Sequence, residues 1–575
     1  MNKTGLIQLA SWPLSGASRK WLKQLFSAIN QSRGATIFRV FSHAHATQAA
    51  GANPAALSAE QLAYAIPTHK ILSEEATIQR ARAGTQQQLG LPLLACLYWL
   101  ETPSLQLRFP MPLRRSGYEA WWHQQGPKHF KEADRVLEAA ARQRDSKPAA
   151  APFSEKVFGV NLIGHAYSVF GLGEYLRMIA KALEAADVPF CVINIPVNNG
   201  APTTDSSLQS KIISIAEERP YAFTLYCTTA LTHLHVSIQE QCHSQTYSIA
   251  VWFWEFDRWP HRLIGALGLA HEHWPCTELI HRALESGRDS LAALTSALDA
   301  CQPIITIPPV VDLGGFPAIT TQETRAVARK RFGLNCEAVL FTFSFDLNSM
   351  IARKNPEAVI KAFQTAFPIP CENGPAVGLV VKSFPPRKPE PRWEHLKAIA
   401  AADTRITIIE EDLDRNSILT LYGCCDAFVS LHRSEGLGLG MAEALQLGLD
   451  VIATDYGGNV DFCTGPLAHP ITYQLIPVNE GEYPDHEGMV WADPDINHAV
   501  VVMQSVAANR SRQPFCSAVM IAGYRELFSA SNVGLAMRNR LKEIWDQRWE
   551  IQKKIDGNIP DQLEPTGQKS LTNQA

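Results

Sequence analysis

The sequence FVSLHRSEGLGLGMAEALQLGLDVIATDYGGNVDF, residues 428–462, decides the fold prediction. An apolar run ends at Leu431, and a glycine-rich loop that carries Glu435 follows it. A helical pattern begins near Met441 and leads into a second apolar run over 450–454. Short apolar runs bounded by loops are typical of strands buried on both faces of a parallel sheet. This stretch therefore predicts a strand, a loop, a helix and a second strand of one α/β sheet.

The same alternation of strand and helix occurs in two separate series along the chain. The first series begins near 157, the second begins near 338, and the two are joined near 308–324. Such alternation predicts doubly wound sheets covered by helices. We expect two Rossmann-like domains that face a cleft, with ligands beyond the carboxyl ends of the strands. The predicted strands cover 157–163, 190–195, 338–345, 377–382, 406–409, 427–431 and 450–454, and the predicted helices cover 174–186, 356–367, 416–424 and 441–447.

Changes in composition divide the chain into five predicted segments. Residues 1–150 are an extension of unknown role with a mainly helical pattern, and the Pro- and Ala-rich residues 145–152 are typical of a linker. The other four segments are an N-terminal Rossmann-like domain over 156–315, a C-terminal one over 325–515, helices over 516–556 and a polar, disordered tail over 557–575.

Composition and charge exclude several classes of protein. The 52 basic and 56 acidic side chains give a net charge of −4, so no basic excess favours nucleic-acid binding. No apolar run approaches the ~20 residues of a membrane helix, and the N-terminus lacks the pattern of a secretory signal. The 12 cysteines include no Cys-x-x-Cys pair, as is typical of reduced cytoplasmic thiols. We expect a cytoplasmic protein. The short basic helix pattern at 18–25 leaves peripheral docking at the inner face of the membrane open.

The glycine-rich loop is suited to binding a diphosphate. Glycines let backbone amides approach a ligand closely, and the N-terminus of the following helix adds free N–H groups and partial positive charge. An alternative is the turn of an NAD-dependent dehydrogenase, because Gly436 and Gly438 follow a strand and Asp455 lies 19 residues after Gly436. That turn would need a third glycine where Met441 stands, and it leaves Glu435 without a role.

Several ordered motifs support a different interpretation. Glu435 and Glu443 have the spacing Glu-x7-Glu, followed by Val-Ile-Ala-Thr at 451–454 and a Gly-Gly turn at 457–458. With these motifs the chain resembles glycosyltransferase family 4, whose members are retaining enzymes of the GT-B fold. The resemblance covers about residues 156–510. Its other segments are FSFDLNSMIARKNP at 343–356, VFGLGEYLR at 169–177 and WFWEFDRWP at 252–260.

The resemblance implies how the donor, a nucleoside-diphosphate sugar, is bound. By analogy Glu443 binds the nucleotide ribose, and Glu435 lies beside the donor sugar. The same analogy brings glycines and backbone amides of both domains close to the sugar and the diphosphate. These donor-binding residues are Gly436, Gly438, Leu439 and Gly440, with Gly171 and Gly173 across the cleft. The last two glycines could equally form only a turn before a helix.

The resemblance also implies cations at the diphosphate, which stabilise charge on the leaving group. Family members use an Arg and a Lys a few residues apart, whereas Arg353 and Lys354 are adjacent here. Lys354 is the first candidate, Arg353 the second and Lys382 the third; each could instead belong to a solvated surface. On the acceptor side, Glu255 or Asp257 stands where many relatives have a His.

The implied reaction is transfer of a hexosyl group to an acceptor hydroxyl with retention at the anomeric carbon. No metal, cofactor or protein nucleophile is implied, and the acceptor is a glycan or glycoconjugate in polysaccharide assembly. Asp412-x-Asp414 resembles a metal-binding motif of other sugar transferases, but a metal role is not favoured. The alternative is a catalytically silent nucleotide-sugar-binding or scaffold protein. The nucleotide base, the sugar and the oligomeric state are not predicted.

Overall fold

The computed structural model describes residues 117–118, 120–121, 156–197, 203–214, 219–239, 246–295, 302–369, 375–386 and 389–557. Apart from four residues, the predicted N-terminal extension lies outside this part of the chain, as does the predicted tail after Gly557. Within the described ranges, no helix combines the length and the apolar character that crossing a membrane requires.

The first sheet is parallel and buried on both faces. Its strands are β1 (Val157–Gly164), β2 (Phe190–Asn194), β3 (Ile212–Ile213), β4 (Tyr221–Thr228), β5 (Tyr247–Trp252) and β6 (Glu272–His273). They lie in the order β3-β2-β1-β4-β5-β6. Leu162 belongs to the main core, whereas its neighbour Ile163 packs with Val236 on the opposite face, because successive side chains of a strand point to opposite faces. The strands predicted at 157–163 and 190–195 are confirmed.

The second sheet repeats this architecture. Its strands are β7 (Val339–Phe345), β8 (Val377–Ser383), β9 (Ile406–Glu410), β10 (Ala427–Ser430), β11 (Asp450–Thr454) and β12 (Ala468–Ile471). They are parallel and lie in the order β12-β11-β10-β7-β8-β9. The order reverses between β7 and β10, and ligands bind beside such a switch point in doubly wound sheets. The five strands predicted in this half are all present.

Helices connect the strands of both sheets. In the first half they are α1 (Gly171–Ala185), α2 (Ala230–Gln239) and α3 (Glu278–Thr295). In the second half they are α4 (Gln322–Arg331), α5 (Ile351–Lys354), α6 (Pro356–Ala366), α7 (Pro391–Ala401), α8 (Arg415–Gly423), α9 (Leu439–Leu447), α10 (Ile496–Arg512), α11 (Ala518–Leu527) and α12 (Ala530–Gly557). The first helix begins at Gly171, three residues before its predicted start, because glycine carries little helical signal in a sequence.

Helix α9 is positioned by two glycines with left-handed backbone. Gly438 precedes it with φ of 89°, and Gly448 ends it with φ of 85°. Every residue from Met441 to Leu447 is buried, which explains why the segment is mostly apolar, with Glu443 and Gln446 as its polar members. Glycine tolerates these φ values without steric cost, so the helix can begin and end at these two positions.

The C-terminal helix returns from the second half of the chain to the first sheet. Gly534 of α12 lies against α1, where an added Cβ would come within 2.0 Å of the Ala182 carbonyl oxygen. Farther along, the Trp545 ring packs edge-on against Phe158 at 5.7 Å. Helix α12 thus joins the two halves of the chain.

Candidate functional site

The loop between β10 and α9 is packed against a second glycine turn. The Gly458 N–H donates to the Glu435 carbonyl oxygen at 2.7 Å. A Cβ on Gly458 would lie 2.0 Å from the Gly436 carbonyl oxygen, and one on Gly457 would lie 2.9 Å from the Glu435 carbonyl oxygen. The two segments approach each other this closely only because neither glycine has a side chain.

Glu435 is the centre of a buried ionic cluster. The Lys354 Nζ donates to its Oε1, and the Arg353 Nη1 lies 3.2 Å from its Oε2. Burial acts to raise the pKa of Glu435, but the positive charges of Lys354 and Arg353 outweigh it and hold that pKa at about 2. Glu435 is therefore a carboxylate at neutral pH.

The two cations are placed by the short helix α5, which follows β7. The Arg353 Nη1 also donates to the Ser434 carbonyl oxygen at 2.9 Å. Asn355 then adopts left-handed backbone with φ of 53°, and its side-chain amide donates to the Leu431 carbonyl oxygen at 2.9 Å. Hydrogen bonds on both sides of Lys354 thus attach this segment to the loop that carries Glu435.

Glu255 reaches the same cluster from the first sheet. It follows β5, and its Oε1 lies 3.8 Å from the Arg353 Nη2. Its Oε2 accepts a hydrogen bond from the Tyr483 hydroxyl at 2.5 Å, and its backbone carbonyl accepts one from the Ser434 hydroxyl. The structure therefore brings together Glu435, Lys354, Arg353 and Glu255. The other acceptor-side candidate, Asp257, interacts electrostatically with Tyr456 instead. Burial is the main cause that raises the pKa of Tyr456, and the negative charge of Asp257 raises it further.

Glu443 belongs to a second ionic cluster, which also contains residues from both halves of the chain. It lies in α9 and is only 2% exposed. The Arg415 Nη1 donates to its Oε1, while the Arg415 Nε lies 3.2 Å from Oε1 of Glu174 in α1. Burial raises the pKa of Glu443, and the Arg415 charge opposes that rise.

The predicted glycines differ in what they require. A Cβ on Gly173 would lie 2.3 Å from the Ser168 carbonyl oxygen, so packing alone explains this glycine. Gly171 has open space where its Cβ would be. Gly438, Leu439 and Gly440 form the N-terminal end of α9, and a Cβ on Gly440 would lie 2.9 Å from the Phe428 ring.

Lys382 lies apart from the Glu435 cluster. Lys382 is a buried residue of β8, and its Nζ lies 3.6 Å from the centre of the Phe384 ring. Burial lowers the pKa of Lys382 to about 8, and the carboxylates that counteract this effect are Asp412 and Asp346. Asp414, the second acid of Asp412-x-Asp414, accepts a hydrogen bond from the Ser417 N–H at 2.7 Å and caps α8.

Sequence reasoning missed three residues of these clusters, Glu174, Arg415 and Tyr483. Their sequence signals are an acid and an arginine, each in the first turn of a helix, and an aromatic residue in a polar loop, and all three patterns are common. The tryptophans of 252–260 are buried, and Trp252 and Trp259 stack at 5.5 Å. They belong to the hydrophobic core.

Both clusters lie where strands end. Glu174 and Glu255 follow β1 and β5 of the first sheet, and Lys354 and Glu435 follow β7 and β10 of the second. The Thr277 hydroxyl, on the first-sheet side, donates to the Gly436 carbonyl oxygen at 2.8 Å. Two doubly wound sheets whose carboxyl edges face each other form the GT-B architecture, so the predicted fold class is confirmed.

Comparison with known proteins finds similarity at the level of structure. No family model and no curated protein sequence matches the chain. It is similar to sucrose-phosphate synthase from Thermosynechococcus elongatus, with 15% identity, 68% of this chain and 100% of that chain covered and a TM-score of 0.49. Anabaena HepE, solved in complex with UDP and glucose, is 12% identical, with 67% of this chain and 100% of that chain covered and a TM-score of 0.46. The catalytic domain of starch synthase IV from Arabidopsis thaliana, bound to ADP and acarbose, is 13% identical, with 67% of this chain and 98% of that chain covered and a TM-score of 0.45.

Proposed function

We propose that this protein is a retaining glycosyltransferase that moves a sugar from a nucleoside-diphosphate sugar to an acceptor hydroxyl. The observation that carries the proposal is the cluster of Lys354, Arg353 and Glu435 between the facing carboxyl edges of the two sheets. Two buried cations beside one carboxylate match a leaving diphosphate and a sugar with several hydroxyl groups. Preorganised positive charge is effective there, because negative charge develops on the leaving group in the transition state.

The donor then extends along the start of α9. In this proposal Glu435 accepts hydrogen bonds from the donor sugar, and Glu443 accepts them from the ribose. The diphosphate lies at the N-terminal end of α9, beside Gly438 and Gly440, where backbone N–H groups and the helix dipole favour an anion. Lys354 and Arg353 neutralise its charge from the other side.

The acceptor enters from the side of the first sheet, where Glu255 lies. No side chain is assigned as a nucleophile. The leaving phosphate oxygen takes the proton of the acceptor hydroxyl on the face from which it departs, which gives retention and needs no metal. The setting that we propose is assembly of a polysaccharide or glycoconjugate in the cytoplasm, with the membrane surface as one source of acceptors.

The first experiment is a thermal-shift screen of nucleotide sugars, followed by transfer assays with the donors that bind. A ligand at 100 times its Kd stabilises a protein by about 2.7 kcal/mol, which is enough to rank donors. In the assay Glu435→Gln is expected to reduce turnover at least ~100-fold, since preorganised polar groups are worth that much in catalysis. Glu357→Gln, which changes an exposed acid in the first turn of α6, is the matched control.

The outcomes separate the proposal from its alternative. A product with the anomeric configuration of the donor, identified by NMR, supports a retaining transferase. Donor binding without turnover under every acceptor tried would instead favour a catalytically silent binding protein, and an inverted product would exclude the proposed chemistry.

A further inference from the structure

Arg415 connects two carboxylates that belong to different halves of the chain. It is the first residue of α8, and its guanidinium contacts Glu443 of α9 and Glu174 of α1. Glu174 has a second cation, since it also accepts from the Arg177 Nη2 at 2.7 Å. Glu443 has Arg415 as its only ion-pair partner among the described residues. The charge of Glu443 therefore depends on Arg415 far more than the charge of Glu174 does.

The surroundings of Glu443 otherwise disfavour a carboxylate. The side chain is almost fully buried, which penalises the charged form. The groups that face it are Arg415 and the Tyr422 hydroxyl from α8 and the Glu174 carboxylate from α1. Of these three, only the guanidinium stabilises a negative charge.

One donor group of the Arg415 guanidinium makes no hydrogen bond to the described residues. Its Nη2 is buried and has no hydrogen-bond partner within the part of the chain that the structure describes. A buried N–H without a partner is costly, so a ligand oxygen in this position would satisfy it. This second observation points to a ligand oxygen as a further partner of the arginine.

We propose that Arg415 is a positioning residue that keeps Glu443 charged and directed at the donor, while its contact with Glu174 makes donor binding depend on the first domain. This inference rests on the proposed function, in which Glu443 accepts hydrogen bonds from the ribose. An ionised carboxylate is the stronger acceptor for two hydroxyls. Removal of the guanidinium takes away the charge that lowers the pKa of this buried carboxyl, so its pKa rises further above the ordinary value.

The test is calorimetric binding of UDP, GDP and ADP to the full chain between pH 6 and pH 8.5. Arg415→Gln is expected to raise the Kd of the nucleotide that the wild type binds by about 10- to 100-fold at pH 7, the range for a lost charged hydrogen bond. Because the pKa of Glu443 rises when its cation is removed, this variant should bind more weakly at pH 6 and recover as the pH increases. Arg415→Lys keeps the charge and should flatten that pH dependence.

Two further variants separate positioning from general stability. Glu174→Gln leaves Arg415 on Glu443, so its pH profile should match the wild type while its Kd rises a few-fold. Arg405→Gln changes another half-buried arginine, which pairs with Asp403 at 2.8 Å at the amino end of β9, and should leave Kd unchanged even where it lowers the Tm.

Each result is decisive. A Kd and a pH profile of Arg415→Gln equal to those of Arg405→Gln would overturn the positioning role while leaving the proposed function intact. A steep pH profile in Glu174→Gln would also overturn it, because the charge of Glu443 would then not depend on Arg415. If the wild type binds none of the three nucleotides and no donor in the thermal-shift screen of nucleotide sugars, the proposed function itself fails, and this inference fails with it.

Discussion

The charge of Glu435 links the candidate site to the stability of the fold. Its pKa of about 2 lies below its ordinary value of 4.5, because Lys354 and Arg353 outweigh burial. A carboxyl with a lowered folded-state pKa stabilises the fold above its unfolded pKa and loses that contribution as the pH falls towards the folded pKa. The contribution of Glu435 should therefore be complete at pH 7 and decline below about pH 4.5.

We expect Glu435→Gln to lower the free energy of unfolding by roughly 3–5 kcal/mol at pH 7, since it removes the carboxylate that Lys354 and the buried Arg353 share. This difference from the wild type should shrink below pH 4.5 by up to about 1.4 kcal/mol per pH unit. Urea unfolding at several pH values measures it. Glu357→Gln should show no such dependence, and a constant difference for Glu435→Gln would mean that the carboxyl is not paired in the folded protein.

Gly171 allows a residue-scale test of ligand approach. Within the described part of the chain, nothing lies within 4 Å of the position of its absent Cβ, so Gly171→Ala should fold with an unchanged Tm. If the donor passes this point, the methyl group should raise the KM for the donor about tenfold, corresponding to ~1.4 kcal/mol of lost binding. An unchanged KM would show that Gly171 forms only the start of a helix.

Sequence and structure agree on which residues lie near each other where local spacing determines their placement. Glu435 and Glu443 lie eight positions apart around one turn, and Arg353 and Lys354 follow a strand, so a pattern of residue types predicts their neighbourhood. The contact between Arg415 of α8 and Glu174 of α1 joins helices of the two domains, and that between Tyr483 and Glu255 spans 228 positions. Contacts of this kind depend on how the halves pack, which no local pattern specifies.

At the scale of elements, the turn at Gly457 and Gly458 determines the position of the loop that carries Glu435. A Cβ on Gly458 would meet the Gly436 carbonyl oxygen at 2.0 Å and the Thr277 side chain at 2.8 Å. We expect Gly458→Ala to displace the loop, lower the free energy of unfolding by ~1–3 kcal/mol and abolish most transfer activity. Denaturant unfolding and the transfer assay measure the two effects.

A control for this substitution is Gly523→Ala in α11, where the added methyl group contacts nothing. It should be neutral or stabilise the protein by about 0.5–1 kcal/mol, as alanine does in a helix. Full activity of Gly458→Ala would show that the turn does not position Glu435.

Element boundaries were predicted less well than element types. Strand β10 ends at Ser430 and α9 begins at Leu439, whereas the sequence placed these limits at Leu431 and near Met441. Apolar runs define strands because burial demands them, but the ends are fixed by backbone hydrogen bonds and by the left-handed conformation of Gly438. Because those features have weak sequence signals, the ends of an element can be predicted from the sequence only to within about two residues.

At the scale of the whole molecule, α12 decides how the two halves are held together. The helix leaves the second half and packs on α1, and the Arg540 Nη2 lies 2.7 Å from Oε2 of the fully buried Glu272 in β6. This ion pair joins the C-terminal helix to the edge of the first sheet. Helix α12 therefore packs on the first domain although it follows the second domain in the chain.

Gly534 is the position where that contact is tightest. A Cβ added to Gly534 would lie 2.0 Å from the Ala182 carbonyl oxygen. Because this oxygen belongs to the backbone, no side-chain rotation can relieve the clash. We expect Gly534→Ala to move α12 off α1 and to lower the free energy of unfolding by ~1–3 kcal/mol, as overpacking does. The same substitution at Gly523, on the preceding helix, should have the opposite sign, because there only helix propensity changes. Parallel urea unfolding of the two variants makes the comparison, and a stabilised Gly534→Ala would show that α12 does not pack on the first domain as described.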